Sequence, residues 1–349
     1  MQRFCLGALI FGAVAALASP VTAGTPAPGF NHSGNFLIAD QFNNRVIEVN
    51  KQGNIVWSFG LGPNDFSPNS VLGVNDAERV GRNTLMAGTG IPAGVDPNCT
   101  NGCPDNRVML VDPAGKIIWQ YGQFGVTGSG PNELNAPVQA TYTPRKTVFI
   151  TDQGNQRVIE VNKMGNILWQ YGTTGVAGSG KNELNSPNSA ELLDNGDILI
   201  ADEGNNRVIE VDKPSKKIVM TYTAQGTLSA PAFASMLPDG DVLIPDGGNN
   251  RVITADSNDN VTFQYFTNQQ AGSNPNPAPS QAVATVGGKI VISDQFNDRV
   301  IVIDKKQNIR AQFGNLNVIG YGTTNAQQGL YAPYGAKVIG DFTGLTPPE

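Results

Sequence analysis

Histidine is nearly missing from this chain: among 349 residues there is one, His32, and it precedes every patterned stretch. Lyase and hydrolase mechanisms built on an imidazole, and a cysteine nucleophile paired with one, are therefore disfavoured. Cysteine is as scarce, with three in all, and Cys5 falls in the apolar opening segment, which leaves Cys99 and Cys103. Two thiols and one imidazole fall short of the four N or S ligands that a structural zinc takes. Basic charge is short too. With 23 Lys and Arg against 29 Asp and Glu the net charge is −6, which argues against a nucleic-acid partner and against anchoring to anionic lipid by charge. No stretch after the opening segment is long and apolar enough to span a bilayer, so no integral membrane segment is expected.

What is present begins with Met1 to Ala23. Arg3 is followed by an apolar run from Phe4 to Ala18, then Pro20 and the small-residue pattern Val21-Thr22-Ala23. That order predicts a secretory signal over residues 1–23, cleaved after Ala23, and a secreted or periplasmic protein. Losing Arg3 with it takes the net charge from −6 to −7. In an oxidising compartment Cys99 and Cys103 are expected to form a local disulfide.

The rest of the chain repeats itself. From Gly196 to Tyr222, GDILIADEGNNRVIEVDKPSKKIVMTY, an apolar run ends in Asp202, Arg207 opens a second run and a third closes the unit. That reads as three short strands joined by tight turns. Copies start at Gly34, Lys146, Gly240 and Gly288, and an interrupted one runs from Arg82 to Gly122. The arginines opening the second run are Arg45, Arg107, Arg157, Arg207, Arg251 and Arg299, at steps of 62, 50, 50, 44 and 48 residues. Periods of this size point to a propeller or a solenoid. Pro68, Pro137, Pro187, Pro231, Pro279 and Pro333 mark six further short runs, each expected to be a fourth, innermost strand. The outer runs alternate, as in Ile117, Trp119 and Tyr121, and put all three tryptophans in one column, expected to pack between neighbouring units.

The phase of the repeats predicts closure. The first unit lacks an inner strand, and the last proline, Pro333, is followed by Tyr334 to Ile339 with no unit to serve. Pairing the two ends closes a ring and removes an exposed sheet edge. The pattern Asp-x-x-Asn-x-Arg-Val, at Asp40/Arg45, Asp152/Arg157, Asp202/Arg207, Asp246/Arg251 and Asp294/Arg299, resembles the NHL-repeat signature. The resemblance implies an all-β, six-bladed β-propeller of four-stranded antiparallel blades, closed by the N- and C-terminal segments in blade one. Blade two departs from the pattern: Gly88 stands where Asp is expected, and Ile91 to Pro104 is inserted before Arg107. The domain plan is then 24–33 as a lead segment, 34–342 as the propeller and 343–349 as a tail. An Asp and an Arg copied around a ring are expected to be structural, as an ion pair with turn hydrogen bonds.

Positions just after the six prolines are expected to line the channel. The ligand-binding candidates are Asn69, Ser70, Gln139, Asn188, Ser189, Phe233, Gln281 and Tyr334, a polar and uncharged set. Propeller enzymes of the lactonase and paraoxonase types imply a calcium held by central carboxylates with asparagine partners. Here none of the lining positions carries a carboxylate, and the candidate oxygen ligands are Asn69 and Asn188, with Glu133 and Glu183 in the glycine-rich connectors as reserve ligands. No cofactor is expected, calcium being the one candidate. The expected function is an exported, monomeric binding or scaffold module for a protein, glycan or small-molecule ligand at the channel mouth, with the insertion supplying specificity; the alternative is a calcium-dependent hydrolase or lyase with its site in the channel.

Overall fold

The computed structural model describes residues 26–322 and 325–341. The expected signal segment 1–23 and the tail 343–349 lie outside the described residues. Six four-stranded antiparallel sheets form the blades of a propeller. Blade one pairs the inner strand Pro333–Val338 with Phe36–Asp40, so the last strand of the chain closes the ring on the first. The hydrophobic core is split into six clusters rather than gathered into one. The closing cluster packs Phe36, Ile38 and Ile47 of blade one against Val291, Val300 and Phe313 of blade six.

The repeated motif has one geometric job. In five blades the second strand ends at Asp, a single 3-10 turn follows, and Asn44, Gln156, Asn206, Asn250 or Asp298 takes left-handed φ near +50 to +58° before the arginine. Arginine Nε meets the aspartate Oδ2 at 2.7 to 2.8 Å in each. The buried pair holds the turn closed. Blade two reaches the same arrangement by another route: Asp105 sits 2.5 Å from Arg107 and accepts the Leu72 N–H at 2.7 Å. A Cβ at Gly88 would stand 2.6 Å from the Asp105 carboxyl, so the glycine makes room for the relocated acid.

The left-handed residue before each arginine also latches the next blade. Its side-chain oxygen accepts the N–H of Gly73, Ala136, Ser186, Ala230, Ala278 and Ala332 in turn, at 2.6 to 3.2 Å, right around the ring. Five of these acceptors are amides and the closing one, Asp298, is a carboxylate. Burial pushes Asp298 up to about 6, helped by Asp40 and Asp294 against the Ala332 N–H. Unfolded, this acid titrates near 3.8. Between the two values the unfolded chain has released a proton that the folded chain keeps, so stability falls as pH rises from about 4 to 6 and does not recover above. Asp298→Asn keeps the acceptor without the charge. It is expected to raise stability by about 2 kcal/mol at pH 7 and not at pH 4, read by denaturant melts at both. Equal gains at both pH values would refute the assignment.

Aromatic columns complete the interfaces. Trp57, Trp119 and Trp169 donate their indole N–H to the Pro113, Lys163 and Lys213 carbonyls of the following blade at 2.9 to 3.0 Å. The insertion of blade two lengthens its middle hairpin, Asn83–Ile91 paired with Cys103–Val111, and the Cys99–Cys103 disulfide closes its tip.

Candidate functional sites at the two channel mouths

Each inner strand begins on the face that carries the Asp–Arg turns, called here the turn face, and ends on the opposite face. Side chains two residues into the strand join neighbouring blades across the axis. Asp76, Gln139, Ser189 and Gln281 accept the backbone N–H of Ala140, Ala190, Ala234 and Ala336 in the next blade. At Gly335 a Cβ would lie 2.9 Å from the Asn75 carbonyl oxygen and 3.4 Å from Gln281 Oε1. Its absence lets Gln281 Nε2 come within 3.3 Å of Asp76.

The channel is plugged. Tyr334 of blade one reaches Asn188 of blade four, the blade opposite, with its Oη 2.8 Å from Nδ2 and 3.0 Å from Oδ1. Asn188 also donates to Glu203 Oε2 at 2.7 Å, and Gln153 donates to the same oxygen at 3.3 Å. Burial raises the Glu203 carboxyl, against the bond from Asn188, and raises the Tyr334 hydroxyl as well. Around Tyr334, Phe233, Gln281 and Asn188 there is space of only about 10 Å3. The two mouths are therefore separate sites.

On the turn face a cleft of about 460 Å3 opens over blades four to six. Glu203, Tyr334, Ser280 and Gln295 border it, and Phe296 forms an apolar wall with 40% of its surface exposed. Gly247 and Gly248 also line it, and a Cβ at Gly248 would meet Ser229 Oγ and its carbonyl oxygen, so the backbone there is packed against the preceding connector. On the other face a narrow pocket is lined by Glu78, Gln139, Thr141, Glu191, Lys337 and Asp341, among others. Lys337 Nζ lies 2.8 Å from Asp76 Oδ1. Desolvation pulls the ammonium group down, but Asp76, Glu78 and Glu191 outweigh it and its pKa is raised. Burial pushes Glu78 up to about 8, with Asp76 adding to the effect and Lys337 opposing it.

The candidates read from the sequence are partly reunited here. Gln139, Asn188, Ser189, Phe233, Gln281 and Tyr334 lie on or beside the inner strands around the axis. Asn69 and Ser70 do not. Asn69 is exposed in the loop before blade two's inner strand, and Ser70 is buried there with Oγ accepting the Leu61 N–H. That strand is Val74–Val80, six residues later than Pro68 suggested, and Val74 takes the place that proline holds elsewhere. The expectation of an uncharged lining fails with it, because the shift brings Asp76 and Glu78 to the axis. Asn188 borders the axial space and Asn69 is not among the residues around it. Glu133 and Glu183 fold back on their own connectors, accepting the Gly130 and Gly180 N–H groups at 2.9 and 3.0 Å. Among the described residues no group of three or more His, Cys, Asp or Glu side chains is placed to hold a metal ion.

No protein-family model matches the chain, and no curated protein is similar to it in sequence. Its fold is shared with solved structures. A streptogramin B lyase covers 79% of this chain and 78% of its own at 13% identity and a TM-score of 0.53. A protein of unknown function from Bacteroides caccae matches 80% of this chain and 93% of its own at 15% identity and a TM-score of 0.56. A catalytically inactive virginiamycin B lyase from Staphylococcus aureus with quinupristin matches 82% and 86% at 13% identity and a TM-score of 0.51. At these identities the likeness is one of fold: the chain is a six-bladed β-propeller resembling those lyases and other propellers.

Proposed function

We propose that this chain is an exported propeller of the NHL type that binds a small, neutral, polar ligand of disaccharide or dipeptide size in the turn-face cleft. The observation that carries this reading is the combination, in a cleft of about 460 Å3, of an exposed aromatic wall at Phe296 with polar groups from Glu203, Gln295, Ser280 and Tyr334. Ligand pockets of this size with one apolar wall and a few convergent polar groups bind by stacking one face and orienting the rest. The signal-like segment at residues 1–23 supports export, and the Asp-x-x-Asn-x-Arg spacing supports the NHL assignment.

The test is a nuclear magnetic resonance screen against a panel of disaccharides and dipeptides, followed by titration of Phe296→Ala. Loss of the exposed ring is expected to weaken a hit by roughly tenfold, on the order of 1 to 2 kcal/mol, and to leave melting almost unchanged. A panel without a millimolar binder, or a hit that binds the variant equally well, would overturn the reading.

A further inference from the structure

The first three seams between blades are built on the same three cross-strand positions. They are Leu37, Glu48 and Trp57 in blade one, Leu85, Leu110 and Trp119 in blade two, and Phe149, Glu160 and Trp169 in blade three. In the first seam Phe30 of the lead segment lies against Trp57, ring centroids 6.2 Å apart, with the Arg79 guanidinium 4.5 Å from the Phe30 ring centre. Glu48 pairs with Arg79 there at 2.8 Å. In the third seam Phe149 supplies the ring, 5.8 Å from Trp169, and Glu160 pairs with Lys213 at 2.6 Å. Both seams therefore hold a second aromatic ring beside the tryptophan and a carboxylate for the facing cation.

The second seam has the frame and neither filling. Leu85 stands where Phe149 does, Phe30 is committed to Trp57, and Leu110 takes the place of the glutamate. Lys163 matches Lys213, since its carbonyl accepts the Trp119 indole N–H as that of Lys213 accepts the Trp169 one. Its side chain is exposed and makes no ion pair among the described residues. What results is an open notch of about 370 Å3, lined by Leu110, Ile118, Trp119, Tyr142 and Lys163 among others. Lys146 also lines it and has contacts of its own. Trp119 is half-buried and Ile118 is 47% exposed, whereas Trp57, under Phe30, is 4% exposed.

We propose that this notch binds an arylalkanoic acid, a phenyl or indole ring with a carboxylate on a short chain, the ring lying against Trp119 and Ile118 and the carboxylate at Lys163 Nζ. The ligand brings from outside the ring and the charge that the neighbouring seams take from the chain itself. Ring burial supplies the affinity and the ion pair at the rim fixes the orientation. A small acid suits the notch better than a passing peptide does. The lead segment is held in the first seam by the Asn31 N–H and by Asn35 Nδ2, which donate to Glu48 Oε1 at 2.7 and 2.6 Å, and Leu110 offers no such acceptor. The notch shares no lining residue with the turn-face cleft, so the two sites stand or fall separately.

The experiment is calorimetry of the full chain with 3-phenylpropionate at pH 7 in dilute salt, where a dissociation constant of about a millimolar or below is expected. Propionate, which lacks the ring, and 3-phenylpropionamide, which lacks the charge, should each bind at least roughly fivefold more weakly. Leu110→Glu gives Lys163 the carboxylate that Glu160 gives Lys213; it is expected to weaken binding by about tenfold or more, because it both occupies the ammonium and repels the ligand. Lys163→Gln, at an exposed position where folding is not at stake, should weaken binding by roughly fivefold. Absence of 3-phenylpropionate binding, equal binding of the amide or of propionate, or unchanged binding by either variant would overturn the proposal. So would a capped Gly-Phe-Asp-Gly peptide that binds more tightly than the free acid, which would point to a peptide partner instead.

Discussion

A chain ending at Ala332 is expected to lose its cooperative melting transition. The strand removed, Pro333–Val338, is the inner-side partner of Phe36–Asp40 among the described residues, so five residues of blade one become an open sheet edge. Ala336 leaves the closing cluster of Phe36, Ile38, Phe233 and Phe313. Lys337 leaves Asp76, whose side chain is 3% exposed, and a buried charge stripped of its partner costs about 3 to 5 kcal/mol by itself. Tyr334 also leaves Asn188, unplugging the axis. Against a net stability of about 5 to 15 kcal/mol for a folded domain, the ion-pair loss alone is a large share, and the open edge and the thinned cluster add to it. Gly335→Val probes the same closure in a full-length chain, since a side chain there must displace the Asn75 carbonyl at 2.9 Å; it is expected to lower stability by about 2 to 3 kcal/mol. A truncated chain that still melts in one sharp step within a few degrees of the parent would refute closure as the source of stability.

That closure was legible because phase, not propensity, announced it: a unit without an inner strand at the start and an inner strand without a unit at the end. The Asp–Arg pairs and the tryptophan column were legible for a related reason, since a contact repeated at every interface leaves a repeated residue behind. Blade two was not, and the cause is specific. Pro137 to Asp152, Pro187 to Asp202, Pro231 to Asp246 and Pro279 to Asp294 are each fifteen residues, whereas Pro68 stands twenty before Gly88. Counting fifteen back from Gly88 falls beside Val74, where the strand does begin. The charged pocket was missed for a second reason. Side chains on a strand return to the same face every two residues, so the position four after each proline faces the axis as surely as the position two after it. Reading that far would have reached Thr141, Glu191 and Lys337. Blade six carries one more irregularity that spacing alone hides. In blades three, four and five, and in closing blade one, an aspartate Oδ1 accepts an N–H two residues before the proline. In blade six that residue is Pro277, which has no N–H; Asp294 Oδ1 is left without a hydrogen bond, and burial pushes this acid up to about 6 despite Arg299.

Glu78→Gln is expected to stabilise the protein, and only where the wild-type acid is forced to ionise. Unfolded, Glu78 titrates near 4.5; folded, burial raises it to about 8. Below pH 4.5 both states hold the proton and the acid makes no pH-dependent contribution. Between 4.5 and 8 the unfolded chain releases the proton while the folded chain retains it, so stability falls with rising pH by up to about 1.4 kcal/mol per unit. Above 8 both are ionised and the penalty stays at its full size, on the order of a few kcal/mol. Glutamine keeps an oxygen for the Tyr142 N–H and cannot ionise, so the variant lacks this slope. Wild type and variant should melt within about a degree of each other at pH 4.5 and separate by roughly 5 °C or more at pH 8.5, the variant higher. The pair comparison matters because Asp294 and Asp298 add falling slopes of their own in both proteins, and these cancel in the difference. A gap that stays constant from pH 4.5 to 8.5 would mean that Glu78 is ionised throughout and would refute the buried, protonated state.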